Sequence, residues 1–178
     1  MKKIKIFTLG LITLFAFNSC GDDFLNVETA GNVDNNDLIK TFQNDPTKLA
    51  SFVDAIYAQM VKFDLVSESH DAFGLMSILH STDMMGEDIV QSKFHWFGYD
   101  YEHDNHEKTY RRTLVDWTYL YTIISNSNNV LNMSGESENL NYLRGQAYAL
   151  RGMAYYYLIQ LYQHTYNFEI SKNLPGIP

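Results

Sequence analysis

The residues best equipped for chemistry lie between Thr82 and Asn105, where Trp96, Phe97, Tyr99 and Tyr101 stand beside Asp83, Asp88 and His95. Aromatic faces dock the C–H surface of a sugar ring, and carboxylates or imidazoles fix its hydroxyls. This mixture therefore suits reversible capture of a hydroxyl-rich ligand. The same rings serve equally to plug a core beneath an irregular segment, because aromatic side chains are often buried.

A second cluster, Glu102, His103, His106 and Glu107, places two imidazoles three residues apart with flanking carboxylates, a spacing that can converge on one helical face. No fourth ligand is marked, so the segment reads as a solvated helix start with no metal and no cofactor. HExxH, GxSxG and Gly-rich phosphate loops are absent from the sequence. A carboxylate pair for glycoside cleavage cannot be selected from 21 acidic residues without geometry. The reading is binding without catalysis, with no catalytic residue assigned.

Cys20 is the only cysteine. It follows a basic cap, Met1 to Lys5, and a mostly apolar run, Ile6 to Phe17, which is too short for the roughly 20 residues of a membrane span but suits a secretory signal. Cleavage before Cys20 would leave its thiol at a new N-terminus for lipid attachment. Acyl chains such as palmitate on that residue meet the threshold for lasting membrane anchorage. Phe17 and Ser19 depart from the usual Leu and Gly or Ala of a lipoprotein box, which leaves an ordinary signal peptide as the alternative.

Charge narrows the partners. Three of the 13 basic residues, Lys2, Lys3 and Lys5, precede Cys20, which leaves 10 against 21 acidic residues and a net charge of −11 beyond it. A nucleic-acid partner is disfavoured, since phosphate binding needs clustered Lys and Arg. With 178 residues, 46% of them hydrophobic and 15% aromatic, the chain suffices for one packed domain.

The elements that must position these residues read as helices. Residues 26–44 are polar and lack sustained periodicity, which predicts a tether or irregular lead-in. Asp45 before Pro46 predicts a helix start, followed by an apolar face at Leu49, Phe52, Val53, Ile56, Met60 and Phe63. A short helix is expected from about Ala72 to Ser81, weakened by Gly74. Helix returns near Thr109, with a stripe at Tyr110, Leu114, Trp117, Tyr121, Ile124, Asn128 and Leu131. A polar break at Met133 to Glu138 leads to a fourth helix with Leu143, Ala147, Leu150, Ala154, Tyr157 and Leu161 inward. The last two should pack antiparallel. Gly145 and Gly152, seven apart, suggest that another helix approaches them closely. Arg144 and Arg151 are expected to pair with acids, and Asn128 to bond backbone between the helices. Close helix pairs of this kind are tetratricopeptide-like.

These segments, in this order, resemble the N-terminal part of the SusD/RagB family. The resemblance is carried by Ser19-Cys20-Gly21-Asp22-Asp23-Phe24-Leu25, by Leu49-x-x-Phe52-Val53-x-Ala55-Ile56-Tyr57 and by Ser81-Thr82-Asp83. Trp117-x-x-Leu120-Tyr121-x-x-Ile124-x-x-Ser127-Asn128 adds to it. The most specific segment is Leu143-Arg144-Gly145-Gln146-Ala147-Tyr148-Ala149-Leu150-Arg151-Gly152-Met153-Ala154-Tyr155-Tyr156-Tyr157, with Gly176-Ile177-Pro178 following. Gln146 and Gly152 replace the commoner Glu and Ala. Family members are much longer, so the chain resembles a fragment.

The resemblance implies an outer-membrane, surface-exposed lipoprotein that binds oligosaccharides and delivers them to a TonB-dependent, SusC-like transporter. The expected organisation is a signal peptide over 1–19, a lipid-anchored tether over 20–44 and an all-α helical domain over 45–178, a bundle or solenoid with irregular loops. The candidate ligand residues are Trp96, Phe97, Tyr99, Tyr101, Asp83 and His95. A competing reading is a helical module that docks on the transporter or another surface protein without touching nutrient; a third is a surface hydrolase.

Overall fold

The periodic segments form six α-helices in the computed structural model, which describes residues 34–63, 69–165, 167, 174 and 176–178. They are α1 (Asn35–Asn44), α2 (Pro46–Met60), α3 (Leu75–Met84), α4 (Gly98–Tyr101), α5 (Arg111–Ser134) and α6 (Asn141–Tyr162), with one 3₁₀ turn over Glu138–Leu140. No strand occurs among the described residues, so the chain is an all-α bundle. The segment expected to be a signal peptide, Cys20 and most of the expected tether lie outside them.

Asp45 caps α2 by accepting the Thr47 N–H at 3.2 Å, with Pro46 in the first turn, as expected. Its buried face is Leu49, Val53, Ile56 and Gln59; Phe52 and Phe63 are largely exposed. The reading of an irregular lead-in over 26–44 fails at α1. That helix has few apolar residues, but Phe42 is buried and meets Phe52 edge to face at 5.8 Å. Leu38, Ile39 and Phe42 share one helical face, and tertiary contact along it holds so short a helix. The compact unit accordingly begins at Asn35 and not at Asp45.

Gly74 does not weaken α3 from within; it starts it. Its φ of +77° is a region that L side chains avoid, and a Cβ there would lie 2.3 Å from the Met60 carbonyl oxygen at the end of α2. The helix therefore runs from Leu75, three residues later than the sequence suggests.

α5 and α6 form the expected antiparallel hairpin. Thr113 accepts from the Tyr162 hydroxyl at 2.7 Å, Trp117 meets the Tyr162 ring at 5.0 Å, and Asn128 accepts from Arg151 at 2.8 Å, so partner numbers fall as α5 numbers rise. Leu120, Ile123 and Val130 of α5 pack with Leu143, Ala147, Leu150, Ala154 and Leu158 of α6, and α2 adds Leu49, Val53 and Ile56. Burying each large aliphatic side chain contributes about 1.5–3 kcal/mol.

The face of α5 differs from the expected stripe. Tyr110 and Leu114 are exposed, while Arg112, Val115, Asp116, Tyr119, Leu120, Ile123, Ser127 and Val130 point inward. Two charged residues on that face displaced the apparent stripe. On α6, Leu158 and not Tyr157 completes the buried row.

Three further expectations are corrected. Gly145 and Gly152 have nothing within 4 Å of where a Cβ would stand and lie on the exposed side of α6, about 200° around the helix from Ala147 and Ala154. Those two alanines, both fully buried, provide the close approach to α5. Arg144 and Arg151 bond amides, Asn141 at 3.2 Å and Asn128 at 2.8 Å, and not acids; Arg151 also stacks over Tyr148. Asn128 thus serves a side chain, not the backbone.

Candidate functional site

Four segments meet at the start of α5: the turn holding His70 and Asp71, the loop and short helix α4 carrying Trp96 to Tyr101, the turn at Asn105, and Tyr110 to Asp116. Together His70, Asp71, Trp96, Tyr99, Asp100, Asn105, Tyr110, Arg111 and Arg112 line a cavity of about 230 Å³.

Its aromatic wall is set by local packing. Gly98 lies beneath the Phe94 ring, where a Cβ would come within 2.5 Å of that side chain. The missing side chain lets Phe94 stand edge to face against Tyr99 at 5.5 Å. Trp96 and Tyr99 lie 6.2 Å apart with planes tilted by 37°, and His70 lies 5.7 Å from Trp96. Trp96 is 67% and Tyr99 40% exposed, so these rings are not core plugs.

The polar wall is a buried charge network. Arg112 grips both oxygens of Asp100, Nε to Oδ1 at 2.8 Å and Nη2 to Oδ2 at 3.1 Å. Its Nη1 donates to Ser77 Oγ at 3.0 Å and to the Asp71 carbonyl at 3.4 Å; the Ser77 hydroxyl in turn donates to that carbonyl. Asn105 donates to Asp100 at 2.8 Å. Arg111 Nε reaches both Asp71 oxygens at 2.9 and 3.0 Å. Burial raises the Asp71 pKa, but the Arg111 hydrogen bond and charge outweigh it and hold the carboxyl below its ordinary value. Burial also opposes the charge on Arg112, yet Asp100 and Asp116 more than compensate and keep its pKa raised.

Behind Arg112 lies a smaller cavity of about 90 Å³, lined by Met85, His106, Arg112, Thr113, Asp116, Leu161 and Tyr162. Asp116 is 3% exposed, 3.7 Å from Arg112 Nη1, and its Oδ1 has no hydrogen-bond partner. Burial pushes its pKa up to about 7. Burial, with His103 adding to it, lowers that of His106.

Of the expected ligand residues, the structure brings Trp96 and Tyr99 to the cavity. Phe97 sits behind them, half-buried among His70, Phe73, His80 and His95 at ring distances of 5.2, 6.3, 4.4 and 5.7 Å. His95 turns the loop by accepting the Phe97 N–H at 3.2 Å. Asp83, Asp88 and Tyr101 are exposed and do not line the cavity. His103 and His106 meet edge to face at 5.3 Å in a turn before α5, not in a helix start. Among the described residues no three His, Cys, Asp or Glu groups come together as metal ligands.

Sequence reasoning missed His70, Asp71, Asp100, Asn105, Tyr110, Arg111 and Arg112. One signal was available: Arg112 and Asp116, four apart, fall on the inward side of an otherwise apolar helix, where charge demands a buried partner.

Comparison with known families decides the kinship. A family described as SusD-like, starch-binding and associating with the outer membrane, matches residues 23–178. The chain belongs to this SusD-like family. Its members are binding proteins of the outer membrane, and the all-α architecture accords with the tetratricopeptide-rich fold of the family. No curated protein and no solved structure matches the chain. No described helix is long and apolar enough to cross a membrane.

Proposed function

We propose that this SusD-like chain captures uncharged oligosaccharides at the outer-membrane surface and passes them to a TonB-dependent, SusC-like transporter, without making or breaking covalent bonds. A lipid on Cys20 anchors it, the first 19 residues being its export signal. The observation that carries the reading is the pair of exposed rings, Trp96 and Tyr99, on a cavity of about 230 Å³ whose exposed lining is mostly apolar. Ring faces dock the apolar side of a sugar, while Asn105 Oδ1, which has no hydrogen-bond partner among the described residues, can accept from a hydroxyl. The cations of the cavity are committed: Arg111 to Asp71 and Arg112 to Asp100. An acidic sugar would meet guanidinium groups whose charge is already balanced by a carboxylate.

Calorimetric titration with maltoheptaose tests this. Heat should accompany binding, no shorter product should form, and Trp96→Ala should weaken affinity by about 2 kcal/mol, roughly 30-fold. Binding unaffected by that substitution would overturn the assignment of the site.

The docking-module reading has its own support. Tyr142, Gly145, Ala149, Gly152, Tyr156 and Ile159 form an exposed, uncharged row on α6 at spacings of 3 and 4. A chain that binds no glycan but is retained on an immobilised transporter would favour it.

A further inference from the structure

Arg112 lines both cavities, the aromatic one and the small one behind it. Three carboxylates surround the paired guanidinium groups of Arg111 and Arg112: Asp71, Asp100 and Asp116, each no more than 4% exposed. Asp71 and Asp100 are each forked by an arginine. Asp116 is the surplus acid. Its Oδ1 faces Arg112 Nη1 at 3.7 Å, too far for a hydrogen bond, and has no other donor among the described residues. A buried anion in that position is costly, and a proton relieves it.

We propose that Asp116 is a proton site linked through Arg112 to the Trp96 and Tyr99 platform, so that ligand capture weakens as Asp116 ionises. This linkage to ligand rests on the glycan reading of the cavity. With the proton on, Arg112 holds Asp100 through Nε and Nη2 while Nη1 bonds Ser77 and the Asp71 carbonyl, and Asp100 fixes the short helix that carries Tyr99. With the proton off, the carboxylate closes the 3.7 Å gap by drawing Nη1 from Ser77 and the Asp71 carbonyl. The guanidinium then turns out of its fork on Asp100, and the platform loosens.

The groups facing Asp116 agree with a transition near neutrality. From its own helix comes Arg112, from the turn before it His106, from α4 Asp100, from the turn before α3 Asp71, and from α6 the Tyr162 hydroxyl. Burial dominates and raises the Asp116 pKa to about 7. His106 is shifted the opposite way, to below its ordinary value.

The first test needs no ligand. In the full chain carrying Trp117→Phe, Trp96 becomes the only tryptophan, and its emission is followed from pH 5.5 to 8.5. A transition near pH 7 should occur, should vanish in Asp116→Asn, and should persist in His70→Gln, His95→Gln and His106→Gln, which exclude the imidazoles beside Trp96 and Asp116. A flat profile, or a transition surviving in Asp116→Asn, overturns the proposal. The second test titrates maltoheptaose over the same range. Affinity should fall about tenfold from pH 6 to 8 in the parent and stay level in Asp116→Asn. Level affinity in the parent overturns the link to ligand. An emission transition without any saccharide binding overturns the glycan reading instead and leaves the proton link to the platform standing.

Discussion

Asp116 makes the balance of buried charge measurable. Its pKa in the folded chain is about 7 and in the unfolded chain near the ordinary 3.8. Between those values the folded state holds a proton that the unfolded state has lost, so stability falls as pH rises from about 4 to about 7 and then levels. Asp71 acts in the opposite sense: its lowered pKa contributes stability above its unfolded value that is lost as pH falls through the folded one. Chemical denaturation at a series of pH values should show the decline toward pH 7 in the parent chain. Asp116→Asn should abolish it and should be the more stable of the two above pH 7, by an amount on the order of a few kcal/mol. A parent chain whose stability does not decline over that interval would show that Asp116 is ionised throughout. These acids were hard to find in the sequence because their partners are distant: Arg111 lies 40 residues from Asp71, and Arg112 lies 12 from Asp100. The run of rings was legible, since Trp, Phe and Tyr crowded into a polar segment are visible without geometry, but whether they face solvent or core was not, because aromatic side chains serve either.

At the scale of elements, α1 and α6 expose the limits of periodicity in opposite ways. α1 offers only Leu38, Ile39 and Phe42 as large apolar groups in 10 residues, and an isolated helix of that length is marginal in water. What holds it is Phe42 in the core beside Phe52, together with the Asn139 side chain donating to the Gln43 carbonyl at 2.7 Å. Phe42→Ala should cost about 3–5 kcal/mol, and hydrogen exchange should show α1 losing protection before α5 and α6. Uniform loss of protection across all helices would mean that α1 has no separate stability. The α6 pattern was legible from Leu143 to Ala154, with Leu158 in place of Tyr157 beyond it, but its glycines were given the wrong neighbour, because spacing identifies a face without identifying what covers it. Both glycines are helical with open space where a Cβ would stand. Gly145→Ala and Gly152→Ala should therefore each stabilise the chain by about 1 kcal/mol, seen as a raised denaturation midpoint. Destabilisation by either would reveal a close neighbour over that face in solution. The same variants separate the two functional readings: glycan affinity should be unchanged, whereas a partner seated on α6 would be pushed off by the added methyls.

For the whole molecule, the field and the site should select in the same direction. The sequence beyond Cys20 carries a net charge of −11, and the cavity holds no uncommitted cation among its lining arginines. An acidic oligosaccharide is thus opposed twice, by long-range repulsion on approach and, on arrival, by arginines whose charge is already balanced by Asp71 and Asp100. Salt distinguishes the two effects, because a Debye length of about 10 Å at 0.1 M screens the first but barely touches charges already in contact. Maltoheptaose should bind with an affinity that hardly changes between 0.02 and 0.5 M salt, values chosen to span roughly 20 to 4 Å of screening. An oligogalacturonide of similar length should bind more weakly at every salt concentration, and its on-rate should rise as salt is added. If that on-rate is instead fastest at low salt, the acidic body is not what the ligand meets, and a local positive surface must steer it. If the acidic sugar binds as tightly as the neutral one, Arg111 or Arg112 meets the sugar's carboxylate, either through remaining N–H donors or by release from Asp71 or Asp100. Asp71→Asn or Asp100→Asn would then strengthen acidic-sugar binding further by freeing the guanidinium in advance. The expected ordering, neutral above acidic at all salts, follows only if both ion pairs stay closed around the ligand.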